Sequence, residues 1–177
     1  MQNHTQLPTG LSFSYETERL ILRLPSTDYL REIHDFLYRN RSCFEKYEPT
    51  APENYYTLDF QQTLARCELK LALKLSSVRF YVFLKEDPST IIGTVCLHNI
   101  IKMPYFTSEV GYKFDASYQH HGYAREALSM ALSVGFYGLG LHKIFARCMP
   151  QVFSRKELSA TVFSFRENGK ITSATLS

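Results

Sequence analysis

The chain has little net charge and no concentration of either sign. Twenty basic and seventeen acidic residues leave a formal charge of +3 at pH 7 over 177 residues, mixed along the chain. That argues against nucleic-acid binding, which ordinarily shows a basic stripe interleaved with aromatics. Cysteine is scarce and scattered. Cys43, Cys67, Cys96 and Cys148 lie far apart with no C-x-x-C pair, so they read as reduced thiols, and neither a disulfide frame nor a zinc site is expected. No apolar run approaches the ~20 residues of a membrane span. Met1 to Gly10 lack the charged start and apolar middle of a secretory leader. No internal repeat or low-complexity tract is visible. These absences predict one cytoplasmic domain over residues 1–177 that binds no membrane and no metal. With 45% hydrophobic and 14% aromatic residues, the chain has ample material for a core.

Residues 1 to 14 are polar and read as a loose lead-in. Arg19 to Leu24 alternates like a strand. Ser26, Thr27 and Asp28 are capping residues for a helix from Tyr29 to Asn40. Its apolar side would be Leu30, Ile33, Phe36, Leu37 and Tyr38. Phe44 to Tyr56 carries Pro49, Pro52 and several tyrosines and reads as a loop. A second helix is predicted from about Leu58 to Leu75. Val78–Leu84, Ile91–Ile100 and Thr107–Phe114 read as strands, and their short connections favour an antiparallel meander. Gly93 interrupts the second of these, which suggests a bulge or a close backbone approach. A helix after Gly122 and a strand over His142–Cys148 complete the order β-α-α-β-β-β-α-β. That order is an α+β fold with a central mixed, mostly antiparallel sheet flanked by helices.

Ser108 to Phe136 is the most informative stretch. Val110, Tyr112 and Phe114 share one strand face; Glu109, Gly111 and Lys113 share the other. Ala124, Ala127, Leu128, Ala131, Leu132, Gly135 and Phe136 recur at helical steps. Between them, Gln119-His120-His121-Gly122-Tyr123-Ala124 opens the helix. A helix start leaves backbone N–H groups unpaired and partly positive, and such an end suits phosphate. Gly122 would let a ligand approach the backbone closely. Two adjacent histidines without converging partners do not read as metal ligands.

Gln119-x-x-Gly122-x-Ala124 resembles the acetyl-CoA pyrophosphate loop, Q/R-x-x-G-x-G/A, of the GNAT superfamily of N-acetyltransferases. Its flanks, E-V-G-Y-K-F before and L-G-L-H-K-I-F-A-R-C-M-P after, and the opening E-T-E-R-L-I-L-R-L are similar to the ribosomal-protein N-terminal acetyltransferase (RimJ/RimL-type) branch. The resemblance implies a GNAT-like fold and acetyl-CoA as co-substrate. The diphosphate would lie on Gln119, His120, His121, Gly122, Tyr123 and Ala124. The thioester arm would lie where the Glu109–Phe114 strand diverges from the strand after the helix, against the backbone of Val110, Gly111 and Tyr112. Amides there would polarise the acetyl carbonyl, an effect worth a few kcal/mol. Glu109 is implied as the general base. A protein N-terminal α-amine is the first candidate acceptor; it titrates near ~7.7–8.0, against ~10.4 for lysine, so a modest base suffices. A polyamine, amino sugar or antibiotic is the alternative acceptor, and a homodimer is an allowed assembly. The first two helices and the Phe44–Tyr56 loop would select the acceptor.

The match fades after Pro150. Val152 stands where the branch has asparagine, and Ser154 aligns with its CoA-arm serine only if one residue is deleted. Val162-Phe163 replaces a G-F pair, and the usual last strand is incomplete at Ser177. Residues 151–177 are thus expected to diverge, with an atypical C-terminus. Two rival readings follow: a catalytically weak acyl-CoA-binding protein, and a nucleic-acid-binding module, which the mild charge disfavours.

Overall fold

A computed structural model describes residues 10–46, 48–146, 160–165 and 171–176. Eight strands form one sheet in chain order. They are β1 (Ser14–Glu16), β2 (Leu20–Arg23), β3 (Val78–Leu84), β4 (Ile91–Ile101), β5 (Thr107–Phe114), β6 (Lys143–Ala146), β7 (Ala160–Phe165) and β8 (Ile171–Leu176). The helices are α1 (Leu30–Arg39), α2 (Arg41–Phe44), α3 (Leu58–Leu73) and α4 (Tyr123–Ser133). Every strand pair is antiparallel except β5 with β6, which α4 joins in parallel. A parallel pair needs such a crossover, and a helix is the usual one. Among the described residues no helix is long and apolar enough to cross a membrane.

The mixed, helix-flanked sheet agrees with the predicted class. Three differences stand out. The polar lead-in is tied down from Gly10 onward: Leu11 is fully buried, the Leu24 N–H donates to the Phe13 carbonyl at 2.9 Å, and β1 forms within it. Past Asn40, where the first helix ends as predicted, the chain adds one more short helix, α2. The tail adds β7 and β8, two strands beyond the predicted order; Lys143 to Ala146 pairs with Ser164 to Thr161, and β7 pairs along its length with β8.

Alternation sorts the sheet into two faces. Val78, Phe80, Val82, Val95, Leu97 and Val110 pack with Ala127, Ala131 and Leu132 of α4. Tyr81, Phe83 and Ile91 pack with Ile33, Phe36 and Leu37 of α1 and Ala65 of α3. Tyr38, expected on the apolar side of α1, is 62% exposed. α3 starts where the Thr57 hydroxyl accepts from the Phe60 N–H, the ordinary capping arrangement.

Gly93 serves both purposes its position suggested. The register slips beside it, with Val82 opposite Gly93 but Phe83 opposite Ile91, a bulge of one residue. A Cβ at 93 would also lie 2.5 Å from the ring of Phe114. Gly93→Ala should therefore destabilise the fold by about 1–3 kcal/mol in urea unfolding. Adding Phe114→Leu should recover part of the loss; equal losses in the single and double variants would show that the ring is not the obstacle.

Candidate active site

The segment between β5 and α4 is built from side chains that satisfy one another. Asp115 ends β5 and opens a short 3-10 turn over Ala116–Tyr118. One of its oxygens accepts from the Ser117 N–H at 2.9 Å. The other accepts from Arg39 Nε at 2.5 Å and Asn40 Nδ2 at 3.1 Å, both at the end of α1. Burial alone would raise the Asp115 carboxyl, but the Arg39, Asn40 and Ser117 donors outweigh it and hold the group below its ordinary value.

The next residues turn sharply. His120 has φ 63° and Gly122 has φ 81°, two left-handed residues in three. Left-handed residues in a turn can point successive N–H groups into one concavity. Gln119, His120, His121 and Gly122 are all exposed, whereas Tyr123 and Ala124 are half-buried. Gly122 caps α4 with no side-chain hydrogen bond, so no side chain occupies the first-turn N–H groups from that position.

A clamp from the other end of the chain holds this loop. Glu126 accepts from the Thr17 hydroxyl at 2.5 Å, the Arg19 N–H at 2.9 Å and Arg19 Nε at 2.8 Å. Arg19 Nη1 donates to the His121 carbonyl at 3.0 Å, and the guanidinium lies over the Tyr123 ring. His121 stacks on that ring too, and its Nδ1 is 2.7 Å from the Gln119 carbonyl. A carboxylate in a first helical turn suits the helix dipole, but the main partners of Glu126 are Thr17 and Arg19. Nothing in the spacing of residues 17, 19 and 126 announces that contact.

The second feature is the outer side of β5. β5 pairs with β4 through Phe114, but with β6 only from Thr107–Lys143 to Val110–Ala146. From Gly111 onward the outer edge of β5 has no partner strand among the described residues. Val110 is buried toward α4, and Tyr112 is 54% exposed. Glu109 lies opposite His98, and Asn99 Nδ2 donates to its Oε1 at 3.5 Å. Ser154 and Cys148 lie outside the described residues.

The third feature is a cavity of about 520 Å³ on the α1–α3 side of the sheet, reaching Gly111. Residues of the Phe44–Tyr56 loop, α3, β3, β4 and β5 line it, including Glu48, Glu68, Arg79, His98 and Lys113. Arg79 Nε pairs with Glu68 at 2.6 Å, and Lys113 Nζ with Glu48 at 2.7 Å. Burial lowers the Lys113 ammonium more than Glu48 raises it. Burial also pushes the Cys96 thiol up, so it is a poor nucleophile. Glu109 is on this face of the sheet but does not line the cavity. Among the described residues no three His, Cys, Asp or Glu side chains converge as a metal site.

A parallel crossover whose helix starts at an exposed left-handed glycine turn is a recognisable arrangement. Residues 19–151 match the model of the acetyltransferase (GNAT) domain. The chain belongs to the GNAT acetyltransferase family. It is 30% identical to Bacillus subtilis YjcK over 112 residues, 63% of this chain and 61% of that protein; the match thus spans about three-fifths of that relative's length. The structure of ribosomal-protein-S5-alanine acetyltransferase from Vibrio fischeri superposes with a TM-score of 0.72 at 28% identity, covering 78% of this chain and 75% of that one. Mycobacterium smegmatis RimJ, solved in complex with CoA-disulfide, superposes with a TM-score of 0.69 at 18% identity over 75% of this chain and 63% of that one. At that identity the second likeness speaks for the fold alone.

In this GNAT chain the clamp makes a pH prediction. Burial alone would raise the Glu126 carboxyl, but Thr17 and Arg19 outweigh it and hold it below its ordinary value. The unfolded chain then binds the proton more readily. The clamp's contribution is present above the unfolded value, about 4.3, and is lost as pH falls through the lower folded value. Glu126→Gln should cost about 1–3 kcal/mol at pH 7, and less once the pH is below that window. Urea titrations at neutral and acid pH check this; a loss independent of pH would show that the charge is not what holds the loop.

Proposed function

We propose that this protein transfers the acetyl group of acetyl-CoA to a primary amine, with a protein N-terminal α-amine as the first acceptor. The observation that carries the reading is the exposed left-handed turn that opens α4 at Gly122 without a side-chain cap, following the β5 strand whose Gly111 and Lys113 border the charged cavity.

The diphosphate would sit against the N–H groups of Gln119 to Ala124, where the exposed left-handed turn and the helix dipole both favour negative charge. The backbone of Val110, Gly111 and Tyr112 would take the thioester arm, and a free N–H there would hold the acetyl oxygen as it gains charge. The acceptor amine would arrive through the cavity. Glu109, on the cavity's face of the sheet but outside its wall, would act as base at one remove, receiving the amine's proton through water and not from the amine directly. An S5-alanine acetyltransferase among the similar structures favours an N-terminal acceptor. The Phe44–Tyr56 loop, which contributes Glu48, Pro49, Ala51, Pro52 and Tyr55 to the cavity, would read the residues after the amine.

The test is CoA release from acetyl-CoA, followed with a thiol reagent, across peptides with free alanine or serine N-termini, the same peptides N-acetylated, and a panel of polyamines and amino sugars. Release with the free peptides and not the blocked ones is expected. Acetyl-CoA binding by calorimetry without release across the panel would reduce the protein to a CoA-binding one. Gly122→Glu should weaken acetyl-CoA binding at least about tenfold, or 1.4 kcal/mol. Any side chain there is strained at φ +81°, and its Cβ would lie 3.5 Å from Arg19 Nη2, bringing a competing carboxylate to the clamp. Unchanged affinity would move the diphosphate off this loop.

A further inference from the structure

We infer that His98 is the group that takes the proton from the acceptor amine. The inference rests on the acetyl-transfer reading and names a residue that reading does not use. His98 stands on β4 on the same face as Thr94 and Cys96 and, with them, lines the cavity. Its backbone is held in place, since the Ser108 hydroxyl donates to the His98 carbonyl at 2.8 Å. Across the ladder, His98 is opposite Glu109 and Cys96 is opposite Gly111. The imidazole leans toward Gly111: its Nε2 is 3.7 Å from where a Cβ on that glycine would be. Gly111 itself lines the cavity. The ring therefore borders the cavity beside that glycine.

The other candidate bases around the ring are committed. Glu68 of α3 accepts from Arg79 and Tyr81 of β3. Glu48 of the loop accepts from Lys113 of β5. Glu109 of β5 accepts from Asn99 and lies outside the cavity wall. Among the described residues neither ring nitrogen of His98 has a hydrogen-bond partner. A neutral imidazole with an unshared lone pair at Nε2 can accept a proton, and histidine is the side chain that ordinarily does so near neutral pH.

The chemistry balances without a further reactant. Nε2 takes one proton from the ammonium and passes it to solvent, for which Glu109 at the cavity's rim is a relay. The free amine nitrogen attacks the acetyl carbon, and the C–N bond forms. The C–S bond breaks with its electron pair leaving on sulfur, and the second amine proton goes to that thiolate to give CoA.

The test uses the full chain, acetyl-CoA and the best acceptor peptide of the screen. His98→Gln should keep acetyl-CoA affinity by calorimetry and lose about 10²–10⁴-fold in kcat, the ordinary worth of a positioned base. Wild-type kcat should rise with pH through an acid limb between about pH 5 and 8, the range in which imidazoles ordinarily titrate. His98→Gln should lose the ring's part of that limb and keep only that of the acceptor amine, at ~7.7–8.0, and added imidazole should restore turnover to His98→Gly. A glutamine variant that retains turnover and the limb would overturn the assignment while leaving acetyl transfer intact. Absence of any wild-type CoA release would overturn both, and the two failures are thus distinguishable. If the variants do not fold, the wild-type profile decides, because a kcat without an acid limb in that range excludes the ring.

Discussion

The geometry of this molecule depends on one parallel crossover. β5 and β6 pair in parallel from Thr107–Lys143 to Val110–Ala146, and β4 holds β5 on its other side through Phe114. α4 crosses over between β5 and β6, as a parallel pair requires. The far end of β5 therefore leads, through the Asp115 turn, into the start of α4. A strand held firmly by its neighbour offers polar groups that need no reorganisation to meet a ligand, which is the arrangement electrostatic catalysis requires. The crossover places that strand and the helix N-terminus in succession as one consequence of topology.

Local adjustments hold β5 against its neighbours. The bulge at Gly93 is one. It lets β4 change register against β3 while leaving room for Phe114, the last residue of β5, to lie over the glycine. The ion pairs are another. Arg39–Asp115 joins the end of α1 to the end of β5, and Glu68–Arg79 joins α3 to β3. Partly buried pairs of this kind add little net stability, since desolvation offsets most of the attraction, but breaking one leaves an uncompensated charge. Their value here is positional: each fixes a helix relative to the strand that borders the cavity.

The sequence was legible where physical pattern and element coincided. Val78–Leu84 and Thr107–Phe114 are strands at the predicted limits, because β-branched and aromatic residues there alternate between two buried faces. Gly93 could be read as a bulge because a residue without a side chain inside a strand rarely has another purpose. The tail was harder to read. Ala160–Phe165 carries Thr161, Val162 and Phe163, ordinary strand formers, yet comparison with the GNAT pattern emphasised the missing asparagine and G-F pair and obscured that local signal. Long-range side-chain contacts were not legible. Glu126 in a first helical turn looks the same in sequence whether it serves a dipole or binds an arginine 107 positions away. His98 carried no motif; its significance comes from β4 and β5 pairing in a register that sets it beside Gly111.

That last point bears on how such a site can tolerate drift in sequence. The diphosphate loop would work through backbone amides, so its side chains are free to vary as long as the turn is held. Here the turn is held from outside, by Thr17 and Arg19 reaching from the β1–β2 connection to Glu126 and the His121 carbonyl. The acceptor side has the opposite logic. Its wall is made of side chains, and Glu48, Glu68, Arg79 and Lys113 neutralise one another in pairs. A cavity whose charges are already matched cannot strongly select an acceptor by net charge. Selection then falls to shape and to polar groups outside those pairs, which is why the His98 imidazole, without a ring hydrogen bond among the described residues, carries more weight than the four charges around it.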